Sequence, residues 1–464
     1  MRYLKYYLDA FHVKGPNRSL ELIKLLEKNP DISNHDMAER LYGNPKSKAF
    51  SMLKARLYTR MLETISLSIN FQNNPEIKDD PDSYHTIEDQ KNLFFANLLK
   101  RRGQRELALD MYERVYKSSL QRGKPETRLE ALVGMGSTIK DPQLYQRTIL
   151  PHIEEAKQEY LTDLDAIKHF DAHRLQRAGK TSVREEELSK LEEAFQEIES
   201  RLDDFPAPRA MYLYHLLRID YHFQKEDFKL SRKHLASLRE LFDTYPGLGS
   251  KNRLGVQYIK LAAIETMTFH YQEGYESASK AQAFFKPHRH NYLVSLIYKS
   301  FASVFLGKLD ACLEEINAFE EYRNFHKEME YDVMVYVKAC ILYMKGELKE
   351  AYNVLTSMNS LMHDKEGWNV GLRIFEILLL IERDLKDLVP NKLDSLRKHL
   401  SKYEVEDRMN IIYKILVMLE RKNYNFALTL GEMDEEMEKL KVDLPWTPMN
   451  HEIIRFDTWF EQRV

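Results

Sequence analysis

From Leu254 to Leu361 apolar helical stretches alternate with short polar turns, three times in the same order. Each time an apolar helix ends at a turn containing Gly, and a second helix opens with a small residue four or five positions on. The turns are EGYESAS with Gly274 and Ala278, GKLDAC with Gly307, Ala311 and Cys312, and GELKEAY with Gly346 and Ala351. The Gly-to-Gly steps are 33 and 39 residues. A helix–turn–helix unit recurring at a period in the thirties predicts an α-solenoid, because such a unit buries its apolar face only against the next one.

The pattern extends in both directions. Downstream, Trp368 to Arg383 pairs with Asn391 to Ser401, and Met409 to Glu420 with Phe426 to Leu440. Pro445-Trp446 interrupts the array, and the apolar residues of His451 to Phe460 predict a helix capping its last face. Upstream, Arg209 to Tyr221 pairs with Phe228 to Phe242, and ANLLKRRGQRELALDMYERVY supplies a first repeat through Ala96, Gly103, Ala108 and Tyr112. Between them Leu188, Leu191, Phe195, Ile198 and Leu202 step by three and four, and Ile153, Ala156, Tyr160, Leu164 and Ile167 nearly do. These seams predict a long antiparallel hairpin over about 151–205, either a projecting contact arm or a longer repeat, joined by the RAGKTSV loop.

The first 70 residues read differently. Helices are expected at Tyr3 to Phe11 and Ser19 to Lys28. A short MAERLY helix follows, capped by Ser33 and ended by Gly43, and then a long helix from Lys48 to about Ile69, capped by Ser47. Phe50, Leu53, Leu57, Met61 and Ile65 share one face of the last. Short helices, a tight turn and a longer helix outline a helix-turn-helix module. Lys46, Lys48, Lys54, Arg56 and Arg60 lie there with no acid among them, the charge a DNA reader needs for phosphate contacts. Projected at 100° per residue, however, Lys48, Lys54 and Arg56 point in different directions and no base-reading Asn, Gln or Arg face stands out, as in a solvated basic helix packed on the first repeat. The expected division is residues 1–70 as this module, 71–90 as a polar linker, 91–445 as the array and 446–464 as the cap.

Composition agrees with helix: Gly and Pro number 16 and 15, and charged residues make up 30% of the chain. A net charge of -3 offers no global attraction to nucleic acid or anionic membrane. No apolar run is long enough to span a bilayer, and the first residues lack the apolar core of a secretory signal. Cys312 and Cys340, the two cysteines, form no CxxC pair, so a reducing, cytoplasmic setting is expected.

The units resemble the tetratricopeptide-repeat superfamily. Ala96/Gly103/Ala108/Tyr112 and Ala339/Gly346/Ala351 match its small residue in the first helix, Gly at the turn and Ala early in the second. The family's Trp and closing Pro are missing and the spacing drifts, so the repeats are degenerate. The resemblance covers about three quarters of the chain and implies an all-α, helical-hairpin solenoid, a right-handed superhelix whose first helices line a concave groove for peptides or partner helices. Carried over unit by unit, the groove positions are Lys260, Met267, His270 and Tyr271, then Ile297, Phe301 and Phe305, then Tyr336, Cys340 and Tyr343. Aromatic and Met side chains there suit an amphipathic helix or apolar peptide, although the same residues also suit a core.

Motifs for chemistry are missing. Gly179-Lys180-Thr181 lacks the earlier Gly of a phosphate loop, His288-Arg289-His290 lacks further ligands at metal spacing, and His451-Glu452 lacks the second His of a zinc-protease helix. His215 and His222 read as packed positions on one helix face, and both cysteines as buried thiols. No catalytic residue, cofactor or metal is expected. The expected function is a scaffold binding a protein or peptide partner along its concave face, with no membrane contact; a homo-oligomer is compatible with it. The alternative is a regulator with DNA binding in the first module and a sensor in the repeats, an order of parts resembling bacterial helix-turn-helix plus tetratricopeptide regulators.

Overall fold

The structure, a computed structural model, describes residues 4–5, 8–9, 17–68, 81–177, 185–322, 329–358, 364–449 and 451–464. Every regular element among the described residues is helical, and the fold is all-α, built from helical hairpins. The chain divides into two units, Met1–Ile87 and Glu88–Val464.

In the first unit, α1 (Arg18–Lys28), α2 (Asn34–Tyr42) and α3 (Lys48–Ser68) enclose a small core of Leu22, Ile23, Met37, Leu41, Phe50, Leu53 and Leu57, joined by Leu4 and Leu8. Most of the helix expected over Tyr3 to Phe11 lies outside the described residues. Ser33 Oγ accepts the Asp36 amide at 3.1 Å, Ser47 Oγ accepts that of Phe50 at 3.4 Å, and Gly43 ends α2 at φ 66°. Met61, expected on the buried face of α3, is 40% exposed. At 1.5 Å per residue α3 is about twice as long as α1 or α2, so its end outruns their cover. The Ile65 side chain and residues 69–80 lie outside the described set.

α4 (Pro81–Arg101) starts inside the stretch read as linker and belongs to the second unit from Glu88 on; α5 (Arg105–Gln121) and α6 (Pro125–Gly136) follow. Next come α7 (Leu150–Arg177), α8 (Glu185–Asp204), α9 (Pro208–Gln224), α10 (Phe228–Thr244), α11 (Lys251–Met267) and α12 (Tyr271–Gln282). They are followed by α13 (His290–Phe305), α14 (Leu309–Glu320), α15 (Met329–Met344), α16 (Leu348–Ser357), α17 (Trp368–Glu382) and α18 (Val389–Leu400). The last are α19 (Asp407–Arg421), the split pair α20 (Phe426–Glu432) and α21 (Asp434–Val442), and α22 (Phe456–Glu461). Consecutive helices pack on one another, and first helices touch first helices of the next hairpin, α11 on α13 and α13 on α15. A large core of Leu, Ile, Val and Phe runs from α13 to the C-terminal segment.

Six of the turns share a rule finer than the glycine spacing. Gly103, Glu226, Phe269, Gly307, Gly346 and Asp384 all have positive φ. After each, the next amide bonds the carbonyl four residues before that position, as Gln104 does to Leu99 and His270 to Glu265. That is the Schellman closure of a helix. Five residues beyond each stands a buried residue: Ala108, Ser231, Gly274, Cys312, Ala351 and Val389. Gly274 is therefore not a turn residue as its sequence context suggested. It lies inside α12, where a Cβ would come within 2.6 Å of Thr266 Oγ1, and Phe269 makes the turn.

The 151–205 region is a long member of the array, since α7 packs on α6 and α9 as well as on α8. Leu164, expected in its seam, is exposed, while Thr162, Asp163 and Ala166 are buried. Covered on three sides, α7 turns a different face inward from the one a two-helix seam would need.

Both carboxylate oxygens of Asp163 are buried, and neither makes a hydrogen bond of full geometry. Burial pushes its pKa up to about 7, opposed by Arg209 and by the nearby Ala210 amide and reinforced by Glu126 and Glu159. The unfolded chain ionises first, so stability is full below pH ~4 and falls as pH rises towards ~7. Asp163→Asn is expected to flatten that slope and to exceed the parent by about 1–3 kcal/mol at pH 8, in urea melts at pH 5 and 8. A parent with no such slope would show the carboxylate to be ionised and hydrated in the fold.

Candidate functional site

The first helices of successive hairpins enclose a concave cavity of about 1330 Å³. On α11 the lining is Val256, Ile259, Lys260, Ala263 and Met267, positions i, i+3, i+4, i+7 and i+11 that keep one helix face towards the hollow. Leu216, Ile219, Asp220 and Phe223 of α9 and Val294, Ile297 and Phe301 of α13 flank it. Trp368 stacks on Phe301 at 6.0 Å from the far side.

One wall is the chain's own C-terminal segment. The helix expected from His451 is shorter, beginning at Phe456, and the residues before it run back over α13, α15 and α17. The Trp446 ring meets Phe305 edge-on at 5.3 Å, and its Nε1 donates to the Glu452 carbonyl at 2.6 Å. Tyr336 Oη donates to the His451 carbonyl at 3.1 Å. Pro445, Thr447, Met449 and His451 thereby face the cavity. The segment also packs α22 on α20 and α21.

Of the groove positions carried over from the resemblance, Lys260, Met267, Ile297 and Phe301 line the cavity. His270 is exposed at the α11–α12 turn, with Nδ1 3.1 Å from Thr268 Oγ1. Tyr271 and Phe305 stack on each other at 4.7 Å beneath Trp446. Tyr336 and Cys340 are fully buried in the core, away from the hollow, because α15 is covered by α17 on one side and by the C-terminal segment on the other. Tyr343 Oη donates to Glu382 and accepts from Arg463, each at 3.2 Å. Sequence reasoning missed Asp220, Phe223, Val256, Ile259 and Trp368. The three-and-four run on α11 was a readable signal; Trp368 had none, since it starts its helix.

Charge in the lining is one-sided. Asp220, Glu226, Glu330, Glu406, Asp407 and Asp443 face it, against Arg174, Lys260 and Arg408. Lys260 is ion-paired with Asp220, which also lies 3.6 Å from His173. Arg408 is held by Glu452 at 2.6 Å and Asp457 at 3.3 Å.

His215 and His222 gain a third member: His215 Nδ1 lies 3.1 Å from His234 Nδ1, and His222 stacks on His234 at 5.4 Å. Burial lowers all three pKa values, to about 4 for His215 and His234, so the cluster is neutral at pH 7. Burial raises the thiols of Cys312 and Cys340, as befits packed groups. His288 and His290 are exposed, His290 3.9 Å from Glu330, and Gly179-Lys180-Thr181 lies outside the described residues. His35, Asp36 and Glu39, exposed on α2, bring ligand atoms within 4.8 Å of one another. In the first unit Lys46, Lys48, Lys54, Arg56 and Arg60 are all exposed; Lys54 bonds Asn34 at 3.1 Å. No helix among the described residues is long and apolar enough to cross a membrane.

No family model matches the chain, and a search of curated proteins finds no similar sequence.

Proposed function

We propose that this protein is a binding scaffold that takes a peptide segment of a partner into the concave cavity of its second unit. The cavity carries the reading. Its volume of about 1330 Å³ exceeds the roughly 300–1,000 Å³ of small-molecule pockets, and its lining joins an apolar floor to a charged rim. Apolar stripes on three helices suit side chains spaced at helical intervals. Lys48, Lys54 and Arg56 lie at different angles around α3 and define no single face, which favours the second unit over a duplex-binding first unit as the functional surface.

A random peptide library panned on the full chain is expected to enrich sequences that bind in this cavity. Val256 and Val294 line it and are half-buried, so Val256→Trp or Val294→Trp fills it without replacing a core residue. Either is expected to weaken the enriched peptides by at least about tenfold in anisotropy titrations. Circular dichroism serves as the check on folding. Failure to enrich any peptide, or peptides indifferent to both substitutions in folded protein, would overturn the proposal.

A further inference from the structure

We infer that the segment this cavity accepts is cationic: an amphipathic peptide with apolar side chains on the α9, α11 and α13 floor and Lys or Arg side chains at its rim. The inference rests on the peptide-binding reading above and names the chemistry of the partner.

Six carboxylates line the cavity against three cations, and the chain itself engages those cations. Lys260 pairs with Asp220, Arg408 with Glu452 and Asp457, and Arg174 with Asp171 at 3.2 Å. The opposite does not hold for the acids. Glu226, Asp407 and Asp443 are exposed and make no ion pair with any described residue. Three exposed carboxylates without an ion-pair partner leave the rim of the hollow net negative, which a ligand that brings positive charge complements.

The floor sharpens the effect. Field lines from charges at the mouth of an apolar concavity are focused into it, so a cationic segment is both steered and held. The whole chain has a formal charge of only -3, hence the attraction is a property of this face and not of the molecule at large. An acidic segment would place like charges against Asp407 and Asp443, and a neutral one would bury its apolar face without relieving the rim. The size of the hollow favours a peptide over a small polyamine, which has no apolar face for Val256, Ile259 and Phe301.

The test uses the full chain and three labelled amphipathic peptides of equal length, built from Leu with Lys, Leu with Gln or Leu with Glu. The Leu/Lys peptide is expected to bind about tenfold or more tighter than the Leu/Gln peptide, with the gap shrinking at high salt, and the Leu/Glu peptide weakest. Asp407→Lys and Asp443→Lys, each checked for folding by its melting profile, are expected to cut Leu/Lys binding about tenfold; the second variant serves if the first fails to fold. Equal binding of Leu/Gln and Leu/Lys, both still lost with Val294→Trp, would overturn the cationic preference while leaving the peptide-binding reading intact. Leu/Lys binding that ignores both rim substitutions or the Val294→Trp filling would mean charge attraction elsewhere on the surface and would overturn the inference as well. Binding by none of the three would overturn both.

Discussion

Replacing Arg408 by alanine is expected to lower the stability of the second unit by about 3–5 kcal/mol. Its guanidinium is 3% exposed and every donor direction is used. Nε donates to Glu452 Oε2 at 2.6 Å and Nη2 to Glu452 Oε1 at 2.9 Å, while Nη1 donates to the Leu440 and Leu444 carbonyls at 2.8 and 2.6 Å. Burial alone pushes the Glu452 carboxyl up, and the bonds from Arg408 work against that shift. Without the guanidinium two buried acids face each other and two carbonyls lose their donor. The penalty comes from those orphans more than from the lost attraction, so Arg408→Met combined with Glu452→Gln is expected to recover part of it. Urea melts of the three proteins decide this. A single variant within about 1 kcal/mol of the parent would show that water reaches the cluster and that the C-terminal segment is not held there.

The second large effect is expected at Gly371. A Cβ at that position would lie 2.1 Å from the His451 carbonyl oxygen and 3.0 Å from the carbonyl carbon, both backbone atoms. No rotamer relieves such a contact, so Gly371→Ala is expected to displace the segment around His451. The cost is about 3 kcal/mol, the upper part of the overpacking range. The same displacement removes the acceptor of the Tyr336 hydroxyl and the imidazole packed edge-on against Trp368 at 5.3 Å. Tryptophan emission should shift to the red and proteolysis should begin near residue 450. Unchanged emission and melting would mean that α17 moves away locally and that the close approach carries no weight. Since the displaced segment is one wall of the cavity, the variant also tells whether that wall contributes to peptide binding.

Much of this was legible in residues that act on their own neighbours. Ser33 and Ser47 cap the helices they precede, and Gly43, Gly103, Gly307 and Gly346 sit at positive φ where the chain reverses. The misreadings share one cause. Phe269, Glu226 and Asp384 occupy the same left-handed position without the usual residue for it, so a search for Gly chose Gly274 and obtained a step of 33 residues where Phe269 and Gly307 stand 38 apart. Their side chains are exposed, so the Schellman closure and the packing of the flanking helices hold the backbone in a conformation that local preference disfavours. Met61 and Leu164 failed similarly: periodicity shows that a face is apolar, not whether a neighbour is long enough or placed to cover it.

By itself the sequence determined the helical class, most helix boundaries, the repeating hairpins and the acidic and apolar residue types available to a binding face. Those follow from interactions within a few residues: caps, turns and the three-and-four spacing of apolar side chains. The tertiary structure alone decided which aromatic residues form the core and which line the hollow. It also decided that Tyr336 ends up beneath a carbonyl 115 positions further along, and that Arg408 is neutralised by Glu452. The reason is that burial and ion pairing are properties of the surfaces that meet, and the segment completing this cavity returns from the far end of the chain, where no local pattern announces its destination.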